Sequence, residues 1–438
     1  MRGKVRAVMQ SRLFSAAAFA LGIRVASAGL SFASMVMISR WIGPDEYGAF
    51  AVMLTLGSFI GLAATLGLPT LVLRVIPQLL SHSDDMPDDA LRGLLKTSYL
   101  SILWCGAAAS VLLAGYGFIA GNVIAMCAAA LILPFAYAEH QAHALRALNK
   151  IGAALLPRDI YWYGGMTLLG AMGALSILPQ ADAASAFLLI TGVLVLFMLL
   201  QGSSVLKNIR SAEARAGIPH QIKWRAEAFF LWLSTMSQAV QRHLTVVVSA
   251  PFLTAAETGA FFAAHRTALL LSLPLIAANL VASPWIARAW GDGNVTRVQR
   301  LCKLISIGAA IPALLGLVVI FYAGAFLLGL FDPSFSAAIG ALYVFAAASL
   351  VNALCGPTGG LMLMTGNEKP FVGIQISAQV LSLLVVAVAA WQYGLIGAAL
   401  GAAFGTVGWN VVVWLWCRRH IGVDPAVTSW VWPCRSKT

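Results

Sequence analysis

The chain has 438 residues, of which 60% are hydrophobic and only 10% charged, far below the roughly 25% charged content of a soluble chain. A formal net charge of +12 and a mean hydropathy of +0.86 accompany apolar runs of about 20 residues from end to end. Soluble, secreted, disordered, fibrous and nucleic-acid-binding classes are thereby excluded, and the bilayer is the solvent for most of the chain.

In chain order, apolar spans cover residues 13–38, 48–72, 97–119, 122–145, 160–178 and 183–206, then 226–250, 259–286, 302–330, 337–364, 371–391 and 395–416. Each is long enough for a hydrocarbon core about 30 Å thick. The expected fold is an all-α polytopic membrane protein of about twelve transmembrane helices. A closed barrel would alternate apolar and polar residues, and Val411-Val412-Val413-Trp414-Leu415-Trp416 does not.

Lys and Arg set the orientation, because positive loops stay cytoplasmic. Assigning alternate connections to one side puts 24 of the 28 basic residues with the N-terminus, among them Arg158 and the group Lys207, Arg210, Arg215, Lys223 and Arg225. Arg40 alone lies in an opposite connection, and Arg24, Arg242 and Arg266 fall inside spans. Both termini are expected in the cytoplasm. Four basic residues, an apolar stretch and Ala26-Ser27-Ala28 imitate a signal peptide, but apolar residues continue to Ile38, so the first span is expected to be retained. The six cysteines form no C-x-x-C pair and read as small apolar residues.

The halves echo each other. Glu46, Gly48, Ala49 and Phe50 after span 1 match Glu257, Gly259, Ala260 and Phe261 after span 7 at a constant offset of 211. Six helices per half give two pseudo-symmetric lobes in the same orientation, an architecture of secondary transporters. The expected division is an N-lobe of residues 1–206, a basic cytoplasmic linker of residues 207–225 and a C-lobe of residues 226–438.

Ionisable residues at bilayer depth are costly and therefore informative. Arg24 lies near the middle of span 1, with Ser27, Ser31 and Ser34 following at helical spacing. In span 7, Ser234, Gln238, Gln241 and Thr245 form a similar stripe beside Arg242 and His243. His265 and Arg266 lie in span 8. In span 4, Glu139, His143 and Arg146 share a face, with His140 adjacent. Each has a structural reading: arginines tied to carbonyls or to Glu139, Arg146 and His143 snorkelling at the interface, serines letting helices approach. The Gly397, Gly401, Gly405 ladder reads as packing. The sum, an excess of buried positive charge, suggests a cavity that receives an anion, since Arg offers a bidentate fork to phosphate.

Neither a nucleotide-binding loop nor a hydrolase or zinc-protease motif is present, so neither an enzyme nor a cofactor is expected. The acidic run Asp84, Asp85, Asp88 and Asp89 reads as a solvated loop.

Ser39-Arg40-Trp41-Ile42-Gly43-Pro44-Asp45-Glu46-Tyr47-Gly48, followed by an apolar helix, Gly67-Leu68 and Arg74, resembles the opening of O-antigen and exopolysaccharide flippases of the multidrug/oligosaccharidyl-lipid/polysaccharide superfamily. Glu257-Thr258-Gly259 and Gly394-Leu395-Ile396-Gly397-Ala398-Ala399 echo it. The resemblance implies two six-helix lobes around a cationic central cavity, and an isoprenoid-pyrophosphate-linked oligosaccharide moved to the periplasmic leaflet by alternating access. It implies membrane lipids, a polysaccharide polymerase and glycosyltransferases as partners. One departure is that many relatives carry an aspartate where this chain has Arg242-His243.

On this reading Arg24, Arg242 and Arg266 hold the pyrophosphate, Ser31, Gln238 and Gln241 face the sugars, and Glu139 with His140 or His143 takes up a proton. Two alternatives stand beside it: a cation-coupled multidrug exporter of the same superfamily, and a membrane scaffold subunit without transport. A major-facilitator fold lacks its glycine-aspartate-basic signature between Leu79 and Lys96.

Overall fold

The computed structural model describes residues 2–81, 87–209 and 224–430. The centre of the basic linker (210–223), Asp84 and Asp85, the side chains of Asp88 and Asp89, and Cys434 lie outside the described residues. The described residues are helical nearly throughout, and they contain no strand. Two compact units divide between Ala239 and Val240.

In the first unit, α1 (Arg2–Ile42) is followed by α2 (Pro44–Ala64) and α3 (Leu68–Ser81), which together make a broken second span. Then come α4 (Pro87–Ile119) and α5 (Val123–Ala147). The fifth span is composite: α6 (Ile151–Leu155), a π-helical turn at Leu156–Trp162 and α7 (Tyr163–Ala174). α8 (Ala183–Ile209) is the sixth. The seventh span begins with α9 (Trp224–Ala239), which packs on α2 and α3 and so belongs to the first unit.

The second unit opens on a π turn at Val240–Leu244 and α10 (Thr245–Ser249), completing span 7. α11 (Ala255–Leu269) and α12 (Leu273–Gly291) form span 8, joined by a 3₁₀ turn at Leu270–Ser272. α13 (Val295–Gly329) is span 9, and α14 (Ile339–Cys355) with α15 (Thr358–Met364) is span 10. α16 (Glu368–Trp416) holds the last two spans, separated at Gly394, whose φ of 57° and ψ of −139° break the helix.

Nine helices among the described residues are long and apolar enough to cross a membrane. They account for ten spans, because α16 counts once. The π turns break spans 5 and 7 into pieces too short to qualify. The fold is thus the twelve-span, all-α one.

Polar caps punctuate the connections. The Asn122 side chain accepts from Ala125 N (3.1 Å) at the start of α5, and Asn294 from Arg297 N (2.9 Å) at the start of α13. Thr254 and Glu257 form a reciprocal capping box on α11, satisfying donors the helix leaves open. In the repeated motif the apolar positions do the same work in both units. Phe50 and Phe261 are fully buried, edge-on to Phe187 and Phe345 respectively. The acidic positions do not: Glu46 reaches across the chain to accept from Ala183 N (2.7 Å) and caps α8, whereas Glu257 caps its own helix.

The break in span 2 is a docking point. Leu66 and Gly67 have φ of 52° and 73°, and a Cβ on Gly67 would collide with Ala228 O and stand 2.6 Å from Trp232 N. Trp232 Nε1 donates to Ala63 O (2.9 Å) beside it. Gly67→Ala is therefore expected to cost more than about 1 kcal/mol, since it combines backbone strain with a backbone collision. A melting temperature equal to the parent's in detergent would refute this. The Gly397, Gly401, Gly405 ladder is packing: a Cβ at each would strike Ala389, Val386 and Ser382 of the preceding span.

Candidate functional site

The polar clusters are described unit by unit. In the first unit, α5 carries Glu139, His140, His143 and Arg146, and its faces separate them. His140 is fully buried on the α4 side, its Nε2 2.8 Å from Ser98 Oγ and its ring edge-on to Tyr99. Glu139 and His143 point elsewhere: His143 Nδ1 stands 3.5 Å from Glu139 Oε1 and 2.9 Å from its backbone O. Glu139 and His143 are thus together, and His140 is apart.

What meets Glu139 corrects the sequence reading. Arg158, counted there as a cytoplasmic loop charge, lies in the π turn and pairs directly with Glu139 Oε2. Its Nε is 3.5 Å from Asp159 Oδ1, and Arg24 Nη1 is 3.5 Å from Asp159 Oδ2. Asp159 is 4% exposed, so a carboxylate the sequence reading passed over is the partner of Arg24. Arg146 adjoins the same cluster. It is half-buried with an enclosed Nε, and it lies within electrostatic range of Arg24 and Asp159. The result is a chain of alternating charge, Arg24, Asp159, Arg158 and Glu139, with His143 against its last member, that ties α1 and α5 to the π turn.

Ser31, Ser27 and Ser34 line the α1 face as expected, but Ser34 Oγ donates to Ser31 O (2.8 Å) and Ser27 is buried.

In the second unit the π turn at Val240–Leu244 carries Gln241, Arg242 and His243. Gln241 Nε2 donates to Thr406 Oγ1 (2.9 Å), and its Oε1 accepts from Gln379 Nε2 (3.3 Å). Gln241 is therefore fixed by α16, while Gln238, on the α9 side of the turn, is exposed. Across from this turn α11 brings His265 and Arg266. The His265 ring lies 5.1 Å from that of Phe345, and the Arg266 guanidinium sits 4.8 Å over the Phe262 ring, a cation–π contact. Arg242, Arg266 and His265 all lie within electrostatic range of His243. The Nδ1 atoms of His243 and His265 and the Nε of Arg266 are buried with no hydrogen-bond partner among the described residues. From Val240 to Arg288 the sequence holds one carboxylate, Glu257, and that one accepts from Thr254 N and Oγ1 in the α11 cap.

The two clusters therefore differ in kind. The first sets Glu139 and Asp159 among three arginines, Arg24, Arg146 and Arg158; the second gathers two arginines and two histidines. An apolar groove of about 500 Å³ lies along α16, lined by Gly373, Ser377, Leu381, Phe404 and Gly408. No ionisable side chain lines it.

Known structures share this fold. An inward-facing multidrug resistance MATE family transporter of the MOP superfamily has a TM-score of 0.68 at 16% identity, covering 90% of this chain and 94% of that one. An outward-facing multidrug resistance MATE family transporter gives 0.62 at 14%, covering 92% and 96%. A MOP superfamily transporter from Pyrococcus furiosus, described as having a binding pocket of reverse polarity, gives 0.59 at 14%, again covering 92% and 96%. No family model and no curated protein matches the sequence.

Proposed function

We propose that this chain is a transporter that flips an isoprenoid-pyrophosphate-linked oligosaccharide from the cytoplasmic to the periplasmic leaflet by alternating access. The observation that carries the reading is Arg266, held over the Phe262 ring with a buried Nε that has no hydrogen-bond partner among the described residues, in one cluster with Arg242, His243 and His265. Ionisable side chains at membrane depth are costly and mark ligand or ion pathways, and Arg presents its donors in the geometry phosphate accepts. Sugars and pyrophosphate cannot enter hydrocarbon bare, because each polar group loses its water at a cost of several kcal/mol. Gln241, in the same π turn as Arg242, offers an amide group suited to hydroxyls.

Within this proposal Arg242 and Arg266 receive the pyrophosphate. Arg24, opposed by Asp159, serves unit-one cohesion and is released from the headgroup role. The basic connections favour a cytoplasmic position for both termini. The multidrug reading draws on the solved neighbours, two of which are multidrug transporters. The second unit's charge disfavours it, since a cationic drug would meet two arginines; the reverse-polarity relative indicates that pocket charge varies on this fold.

The test is a deletion strain, assayed for lipid-linked oligosaccharide by leaflet-selective labelling. Accumulation on the cytoplasmic leaflet is expected, rescued by the parent gene and by Arg24→Lys, but not by the Arg242→Ala/Arg266→Ala double variant at equal protein level. Absence of accumulation, or full rescue by the double variant, would overturn the reading.

A further inference from the structure

We propose that the groove along α16 holds one chain of an anionic glycerophospholipid of the cytoplasmic leaflet, whose phosphate is received by Lys369 and Arg419. The groove is built from antiparallel pairs. Close approaches of Gly397 to Ala389, Gly401 to Val386 and Gly405 to Ser382 set the register between the two spans of α16. In that register Leu381, Ser377 and Gly373 come level with Phe404, Gly408 and Val412, and all six line the groove. Its floor is kept low by glycine. A Cβ added at Gly373 or Gly408 would meet nothing within 4 Å, whereas one on the Gly397, Gly401, Gly405 ladder would strike the facing span. Both positions are helical, where glycine is weaker than alanine. Neither backbone conformation nor contact between the spans therefore calls for glycine there, and what the pair leaves open is a slot of about 500 Å³.

The two ends of the slot differ in charge. From Leu381 to Phe404 the chain carries no ionisable group except the Tyr393 phenol. At the other end, one helical turn beyond Gly373 and Val412, stand Lys369 and Trp416, and Arg419 and His420 follow in the π turn Cys417–Ile421. Lys369 and Arg419 are exposed. Arg418 is engaged by Asp424 and by the Trp414 ring, and His420 stacks on Trp416. Glu368, the one acid on α16, adjoins Lys369 but lies on a different line of the helix from Gly373 and Ser377. Basic connections favour this end as the cytoplasmic one. From Gly373 to Leu381 the helix rises about 12 Å, within the half-thickness of a hydrocarbon core about 30 Å deep, so the slot ends inside one leaflet. Leu381, Phe404 and Val412 are about half exposed along it. An apolar slot one leaflet deep with cations at its water end matches a lipid chain joined to an anionic head group, and Arg adds the geometry that phosphate accepts.

The experiment is native mass spectrometry of the purified full chain with phosphatidylglycerol and, as a lipid of the same acyl chains without net charge, phosphatidylcholine. The parent is expected to retain phosphatidylglycerol severalfold more than phosphatidylcholine. Gly373→Leu/Gly408→Leu fills the slot where a side chain meets no neighbour, and should cut retained phosphatidylglycerol severalfold at an unchanged melting temperature. Gly308→Leu, at an exposed helical glycine of α13 with equal room around it, should leave retention as in the parent. Lys369→Gln/Arg419→Gln should keep phosphatidylcholine binding and lose the preference; both positions are exposed, so this arm stands even if the leucine variant fails to fold. Equal retention of the two lipids by the parent, a preference unchanged in the glutamine variant, or undiminished binding in a folded leucine variant overturns the proposal. So does displacement of phosphatidylglycerol by an equimolar polyprenyl phosphate that excess phosphatidylglycerol cannot reverse, which assigns the slot to an isoprenoid chain instead.

Discussion

Arg158→Ala is expected to destabilise residues 1–239 by about 3–5 kcal/mol, the range for removing one partner of a buried ion pair. A loop charge would cost no more than about 0.5 kcal/mol, so the outcome separates two readings of one residue. Arg158 contacts Glu139 and Asp159 at once, and its removal leaves two enclosed carboxylates, one facing only His143 and the other facing Arg24 at 3.5 Å. Arg24 is less able to compensate, because 43% of its side chain is exposed and water weakens its pull. Arg158→Lys should recover only part of the loss, since an ammonium cannot fork to two carboxylates. Glu139→Gln in the Arg158→Ala background should restore stability by removing one orphaned charge. Melting of the four proteins in detergent checks the set; additive losses would break the network account.

Asp424→Ala is expected to have a comparable effect at the other end of the chain, about 3–5 kcal/mol. Asp424 is fully buried, and its Oδ1 accepts from Trp414 Nε1 (2.8 Å) and from Ala426 N (3.0 Å). Oδ2 accepts from Thr428 Oγ1 (3.1 Å) and lies 3.6 Å from Arg418 Nε. The Gln299 side chain clamps its backbone through both amide atoms, at 2.6 and 2.8 Å. Alanine would strand several donors at about 1–3 kcal/mol each, partly offset where water enters. Residues 422–430 should come free of α13, seen as rapid proteolysis confined to the tail. Asp424→Asn should fall between the two, because one amide face would oppose a donor.

What was legible in the sequence follows from what the bilayer enforces. A span must be apolar for about 20 residues, so twelve spans could be read even where the helices are broken. Interior positions of charge were legible for the same reason, as Arg24 and Glu139 show. Partners were not. Leu156-Pro157-Arg158-Asp159 has the composition of a loop, and nothing in periodicity says that Pro157, lacking an N–H, falls at the opening of a π turn that continues the span. The enclosure of Asp424 was likewise not legible, since a single Asp between Val423 and Pro425 gives no sign of the groups that surround it. The serine and glutamine stripes were placed on the right helices, but helical spacing alone did not reveal the π turn at Val240–Leu244 that the second stripe crosses. Gln241 is tied to α16 while Gln238 is exposed.

Those π turns bear on the ancestry of the two halves. Each accommodates one residue more than an α-helix of the same rise, and they occur at non-equivalent places: Leu156–Trp162 falls in the fifth span and Val240–Leu244 in the seventh. If the halves descend from a duplicated gene, single-residue insertions have since accumulated in different helices, and a constant offset of 211 can hold only over the segment between them. Arg24 then has its counterpart a position away from where simple subtraction puts it, and the copies must be aligned with gaps inside helices, where gaps are ordinarily forbidden.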